Sequence, residues 1–193
     1  VGGGLAGLTV AREVAQRGWS VAVLEAQHIA WNASGRNTGF VLPGFAADTD
    51  ALIARVGLEH ARALWALSEA GAGYVRRAIA ETGMPGTELR EGGWLHVSKT
   101  DRGDALERRC EELAERFGVA VERWPAERVR EALRSPLYFD ALHYPNGFSI
   151  HPLNYALGLA DAAEAHGARI YQQTEALEID PVGVRKRIVT RNA

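Results

Sequence analysis

The sequence is poor in cysteine, methionine and lysine, and it has no excess of charge of either sign. Cys110 is the only cysteine among 193 residues, and Met84 the only methionine. One thiol cannot close an internal disulfide, which excludes a cross-linked secreted scaffold. No apolar run approaches the ~18 residues that a membrane-spanning helix needs. No basic, apolar and small-residue succession follows Val1 as a secretion signal requires, so the expected location is the cytoplasm, with no membrane partner. The 22 basic and 24 acidic side chains leave a net charge of −2, which offers no electrostatic footprint for nucleic acid. Of the basic residues only Lys99 and Lys186 are lysine, a bias that carries no functional weight. Also missing are a G-x-S-x-G elbow, an H-E-x-x-H pair and a cysteine pair, so no hydrolase, metal or redox-thiol site is expected. What remains is an ordinary globular composition, 47% apolar and 24% charged, long enough for one sizeable domain or two small ones.

The order of elements follows from the hydrophobic pattern. A glycine turn opens a helix with Leu5, Leu8, Ala11 and Ala15 on one side, and Gly18 stops it. Residues 21–24 form a short, wholly apolar strand of the kind buried in a parallel sheet. Residues 31–45 read as a loop. Asp48 or Asp50 caps a helical region that runs to about Thr82, with breaks expected at Gly57, Gly71 and Gly73. Residues 94–98 alternate as a half-buried strand, and 101–117 form a helix with Leu106, Cys110, Leu113 and Phe117 on one stripe. A strand (VAVER), a short helix opening at Pro125 and a strand (DALHYP) follow. His151 and Pro152 then open a helix that ends at Gly167, and ARIYQQT is a further strand.

Chemistry concentrates at two places. Gly2, Gly4 and Gly7 form G-x-G-x-x-G at the start of the first helix. The first glycine makes the turn, the second lets a pyrophosphate approach the backbone, and the third permits close helix–sheet packing. Helix N–H groups then face the phosphates. Glu25 ends the following strand, eighteen residues beyond Gly7, where a dinucleotide site places a carboxylate on the ribose hydroxyls. Alone, Glu25 reads as a solvated strand end; in register with turn, helix and strand it reads as a ligand for FAD or NAD, and against NADP. The second place is the loop 33–39, ASGRNTG, whose small residues admit a flat ligand and whose Ser34, Arg36, Asn37 and Thr38 can donate hydrogen bonds. Taken alone this loop is also an ordinary surface turn. His96 and His151 read either as cavity-lining or as structural residues, and Trp94, Tyr144 and Phe148 either as a substrate wall or as core. Cys110 reads as a core thiol.

VGGGLAGLTVAREVAQRGWSVAVLEA followed by NASGRNTGF resembles the FAD-dependent amine and amino-acid oxidases of the D-amino-acid oxidase superfamily. The likeness is greatest to the group around gamma-glutamylputrescine oxidase, in which an ASGRNGG-like loop follows the second strand; here Thr38 replaces a glycine. It continues through GGWLHVS, SPLYFDALHYPNGF and HPLNYALGLADAAEAHGARIYQQT, and so covers nearly the whole chain. The resemblance implies an α/β fold: a Rossmann-type FAD-binding domain (1–89 and 149–193) with an inserted α+β substrate-domain segment (90–148), truncated at both ends. It implies non-covalent FAD held by Gly2, Gly4, Leu5, Ala6, Gly7, Glu25, Ala26, Ser34, Gly35, Arg36, Asn37, Thr38 and Gly39. IYQQTEALEI is then a strand of the FAD domain, with the Ala176 backbone toward the adenine. The implied reaction passes a hydride from the amine-bearing carbon to the flavin; the imine is hydrolysed, and oxygen or an electron acceptor reoxidises the flavin. The substrate is a small amine or amino acid of open identity, and no catalytic residue is assigned. These 193 residues are expected to be the N-terminal part of a longer chain and inactive alone. The competing readings are an NAD-dependent dehydrogenase and a non-catalytic dinucleotide-binding subunit.

Overall fold

A computed structural model describes residues 1–191. In chain order its elements are α1 (Leu5–Gln16), β1 (Ala22–Leu24), β2 (Phe40–Val41), α2 (Thr49–Val56), α3 (Leu58–Thr82), β3 (Arg90–Glu91), β4 (Trp94–Val97) and α4 (Gly103–Phe117). There follow β5 (Glu122–Trp124), α5 (Ala126–Leu133), β6 (Ala141–Tyr144), β7 (Phe148–Ser149), α6 (Pro152–Ala165), β8 (Arg169–Tyr171), β9 (Glu178–Asp180) and β10 (Arg187–Val189). They divide into two compact units. One holds Val1–Gly39, Arg76–Glu88 and the residues from Ile150 onward; the other holds Phe40–Val75 and Leu89–Ser149. Among the described residues no helix is long and apolar enough to cross a membrane.

In the first unit β1 and β8 pair in parallel, with Val23 opposite Ile170. Ala11 and Ala15 of α1 and Ala163 of α6 pack with Val23 and Ala168 into one core cluster. Methyl-sized side chains let the two helices and the strand approach closely, which is why this core is built of alanine and valine. Gly18, at φ +80, carries the chain out of α1 in a conformation that favours glycine. α6 opens as its sequence predicts: His151 is the cap, its Nδ1 accepting the Asn154 N–H at 3.2 Å, and Pro152 is the first helical residue. Arg12 of α1 is 2% exposed, and its guanidinium pairs with Glu81 at 2.6 Å and Glu13 at 3.0 Å.

One expectation fails in this unit. IYQQTEALEI is not a single strand: β8 ends at Tyr171 and β9 starts at Glu178. Gln173 takes a left-handed φ of +52. Its N–H and that of Thr174 donate to the carbonyls of Gln27 and Glu25, which turns the chain across the end of β1. Ala176 therefore lies in a connection and not in a strand.

The second unit contains two antiparallel three-stranded sheets, ordered β2-β7-β3 and β4-β6-β5. β2 places a strand inside the stretch 31–45 that reads as loop. Trp65 of α3, Leu113 of α4 and Val119 form its core cluster, with Phe117, Val121 and Tyr144 against it. These contacts group residues 40–75 with the 89–149 segment. Asp48 is the cap of α2, accepting the Ala51 N–H at 2.7 Å. Gly57 ends α2, but Gly71 and Gly73 do not break α3, which runs unbroken for 25 residues. Burial of Trp65, Ala72 and Ala78 along it outweighs the propensity cost of the two glycines. VAVER is strand only from Glu122, because Val119 closes the end of α4 with its N–H on Leu113 O.

Candidate functional site

The glycine turn is locked to the end of β1. Gly2, at φ +99, donates its N–H to Leu24 O at 2.7 Å. The carbonyls of Val21 and Glu25 accept from Arg169 and Thr174 on the β8 side, so alternation along the strand puts Leu24 O on the other edge, where the turn sits. Gly7 cannot carry a side chain: a Cβ there would lie 2.0 Å from Gly2 O. A Cβ on Gly4 would lie 2.8 Å from Ser34 Oγ. The glycines thus remove bulk where the turn, the helix start and the 33–39 loop converge.

Ser34 and Glu25 both reach this turn. Ser34 Oγ accepts the Leu5 N–H at 3.1 Å, and Glu25 Oε2 accepts that of Gly3 at 2.6 Å. Glu25 Oε1 accepts the Gln27 N–H at 2.8 Å. Gly4 caps α1 with no side-chain hydrogen bond, and the first turn of the helix holds no acidic residue. That end therefore presents N–H groups and the positive pole of the dipole with no carboxylate competing in the first turn. A carboxylate on one side, a hydroxyl on the Leu5 N–H on another and a first helical turn free of acidic residues between them match the needs of a ribose and a pyrophosphate.

The remaining candidates divide by what their side chains do. Asn37 is engaged within its own loop: Nδ2 donates to the carbonyls of Ala33 and Ser34, and Oδ1 accepts the Gly39 N–H. It shapes the loop. The Arg36 guanidinium lies 4.4 Å from the centroid of the Trp31 ring, in a cation–π contact. Gly35 packs under the loop, where a Cβ would meet Ala30 O at 2.6 Å, and a Cβ on Gly39 would meet Ile150 O at 2.0 Å. Ala6, Ala26 and Thr38 are exposed, and Leu5 and Ala176 half-buried. The structure brings Gly2, Gly4, Leu5, Gly7, Glu25 and Ser34 together. Ala176 stands near this group only through Thr174, two residues before it, whose N–H donates to Glu25 O.

Several contributors were not legible as site residues. Gly3 binds Glu25 through its N–H and Ala30 through its carbonyl. Gln172 Oε1 accepts the Ile29 N–H at 2.9 Å, holding the 26–31 segment. Gly3 acts through backbone groups, which leave no residue-type signal beyond the run of three glycines, and Gln172 acts through a side-chain oxygen on a partner 143 residues away in the chain. In the second unit Trp94 lies opposite Tyr144 in the β4–β6 register, with His96 on the same face of β4. Phe148 is 1% exposed and belongs to the core.

Comparison with known proteins gives one consistent picture. A family profile described as FAD dependent oxidoreductase (DAO) matches residues 1–193. Gamma-glutamylputrescine oxidoreductase of Escherichia coli is 35% identical over 180 residues, covering 93% of this chain and 42% of that protein. A probable oxidoreductase of Haemophilus influenzae is 29% identical over 180 residues, with the same shares of 93% and 42%. The crystal structure of glycine oxidase from Geobacillus kaustophilus superposes with a TM-score of 0.77 at 23% identity, over 99% of this chain and 50% of that one. The fold is that of these FAD-dependent oxidases. The chain spans less than half the length of the curated relatives it matches.

Proposed function

The chain belongs to the DAO family of FAD dependent oxidoreductases, and on that premise we propose that the whole protein containing it oxidises the C–N bond of an amine or amino acid with FAD. The observation that carries this reading is the convergence of Glu25, Ser34 and the acid-free first turn of α1 on one glycine turn. There Glu25 would hold the ribose hydroxyls, and the α1 N–H groups with Ser34 the pyrophosphate. Residues 35–39 would pass beside the flavin, their path set by Asn37. When bound, the FAD supplies the acceptor for a hydride from the amine-bearing carbon, and the imine is then hydrolysed in water.

The binding is proposed as non-covalent, with oxygen or another electron acceptor taking the electrons away. The substrate class rests on the relatives, whose names include gamma-glutamylputrescine oxidoreductase, glycine oxidase and L-amino acid deaminase. Val1–Gly39 with the α6–β8 segment is read as FAD-binding, residues 90–148 as part of the substrate domain, and these residues alone as inactive. The test is an anaerobic titration of the whole protein with a panel of amines and amino acids. Bleaching of the flavin band by at least one of them, with ammonia or amine release matching the flavin reduced, is the expected result. A bound flavin that none of them reduces overturns the reading.

A further inference from the structure

Residues 1–11, 25–39 and 171–176 meet at the glycine turn, and Arg36 is the one arginine or lysine among them. Among the described residues its guanidinium has no ion pair and one partner, the Trp31 ring, whose centroid lies 4.4 Å away. The next basic residue along the chain, Arg12, is 2% exposed and already paired with Glu81 and Glu13.

Trp31 and Arg36 both leave the backbone beside the turn. Trp31 follows Ala30, whose N–H donates to Gly3 O at 2.9 Å. Ala30 is buried and takes a left-handed φ of +56, a conformation that alanine keeps only where its surroundings impose it. Arg36 follows Gly35, which packs directly on Ala30: a Cβ on Gly35 would meet Ala30 O at 2.6 Å. The Trp31 N–H donates to His28 O at 3.0 Å, and the two rings lie 5.8 Å apart. The indole is thus set by a bend tied to the glycines, and the indole in turn holds the guanidinium. A guanidinium resting on an aromatic ring spends its face and keeps its N–H edges for an anion.

The charge balance of the turn says which anion. A doubly charged pyrophosphate at the start of α1 comes close to the Glu25 carboxylate. The helix end offers only about half a positive charge, and its Leu5 N–H is engaged by Ser34 Oγ. Arg36 supplies the missing cation, and no carboxylate competes for it. Resting on the reading of this turn as an FAD site, we propose that Arg36 is the counter-cation of the pyrophosphate. Trp31 is its positioning residue, holding the guanidinium beside the turn.

The test is calorimetric titration of the flavin-stripped whole protein with FAD, ADP and adenosine. Arg36→Gln should weaken FAD and ADP about tenfold and leave adenosine unchanged. Raising the salt from ~0.05 M to ~0.5 M should weaken ADP in the parent more than in Arg36→Gln. Trp31→Leu should weaken ADP about threefold or more, and Trp31→Phe, which keeps an aromatic face, should lose much less. In the Arg36→Gln background Trp31→Leu should cost nothing further, as a residue acting only through Arg36 requires. ADP affinity unchanged in Arg36→Gln, ADP and adenosine weakened alike, or an equal Trp31→Leu loss with and without Arg36 overturns this inference and leaves the FAD site standing. A parent protein that binds neither FAD nor ADP overturns the FAD reading and this inference with it.

Discussion

Glu25 Oε2 accepts the N–H of Gly3 at 2.6 Å, tying the acid at the end of β1 to the middle of the glycine turn. The other oxygen is fixed by Gln27. A carboxylate offers about four acceptor positions, so two backbone donors orient it and leave lone pairs for a pair of hydroxyls. An acid set in place in this way would lower the ordering cost of the proposed ligand binding.

Glu25→Gln keeps the volume of the side chain but removes its charge and replaces one acceptor with a donor. One backbone N–H then loses its partner. Dinucleotide affinity of the whole protein should fall at least about tenfold, since a charge-assisted hydrogen bond contributes ~1.5–3 kcal/mol. Calorimetric titration of flavin-stripped protein measures it. Affinity equal to the parent's would show that Glu25 does not hold the cofactor.

Two glycine replacements should act in opposite directions. Gly7→Ala puts a Cβ 2.0 Å from Gly2 O, a backbone atom that can move only with the turn. It should cost ~1–3 kcal/mol of stability and remove dinucleotide binding. Gly71 is exposed in the interior of α3 with nothing within 4 Å of a would-be Cβ. Gly71→Ala should therefore stabilise by ~0.5–1 kcal/mol, a rise of a few degrees in Tm. Thermal melts decide both, and a Gly71→Ala protein that melts lower would contradict the description of α3.

The same two glycines show where sequence reading succeeds and where it stops. Spacing marks Gly7 as a position without room for a side chain, but the atom that a Cβ would meet is Gly2 O of the turn and not the sheet that the motif leads one to expect. Gly71 read as a helix break because propensity is local, whereas α3 is held by burial of Trp65, Ala72 and Ala78. Glu25 and Ser34 were legible through position and residue type. Asn37 was legible as polar but not as the staple of its own loop, since nothing in its identity tells a ligand from a turn former. The split of IYQQTEALEI depends on carbonyls of Glu25 and Gln27 nearly 150 residues earlier, beyond any local pattern.

Arg12 lies 2% exposed and pairs with Glu81 of α3, itself 58% exposed. Glu81→Ala leaves the guanidinium buried with less compensation. The partner's exposure moderates the effect, and a loss of ~1–2 kcal/mol by denaturant unfolding is expected. Arg12→Met, which fills the same space without charge, should cost less than Glu81→Ala. The reverse order would show that the pair is not the main support of that contact.

Burial raises the Cys110 thiol above its ordinary value, and the Glu107 charge adds to it while Arg123 acts the other way. A folded pKa above the unfolded one means that this contribution to stability is present at low pH and lost as pH rises through the folded value. The thiolate is the reactive form. Near pH ~8, alkylation of Cys110 by iodoacetamide should be slower than that of free cysteine, and should accelerate on adding denaturant. Alkylation as fast in the folded protein as in the unfolded one would contradict its placement on the packed side of α4.

The turn at residues 2–7, with Glu25 and Ser34, is the proposed holder of FAD. The most direct test is the visible spectrum of the whole protein, purified and then passed through a desalting column. A flavin absorption band that survives the column in the parent and is lost in Gly7→Ala is the expected result. A colourless parent protein whose fluorescence is quenched by NAD but not by FAD would contradict it.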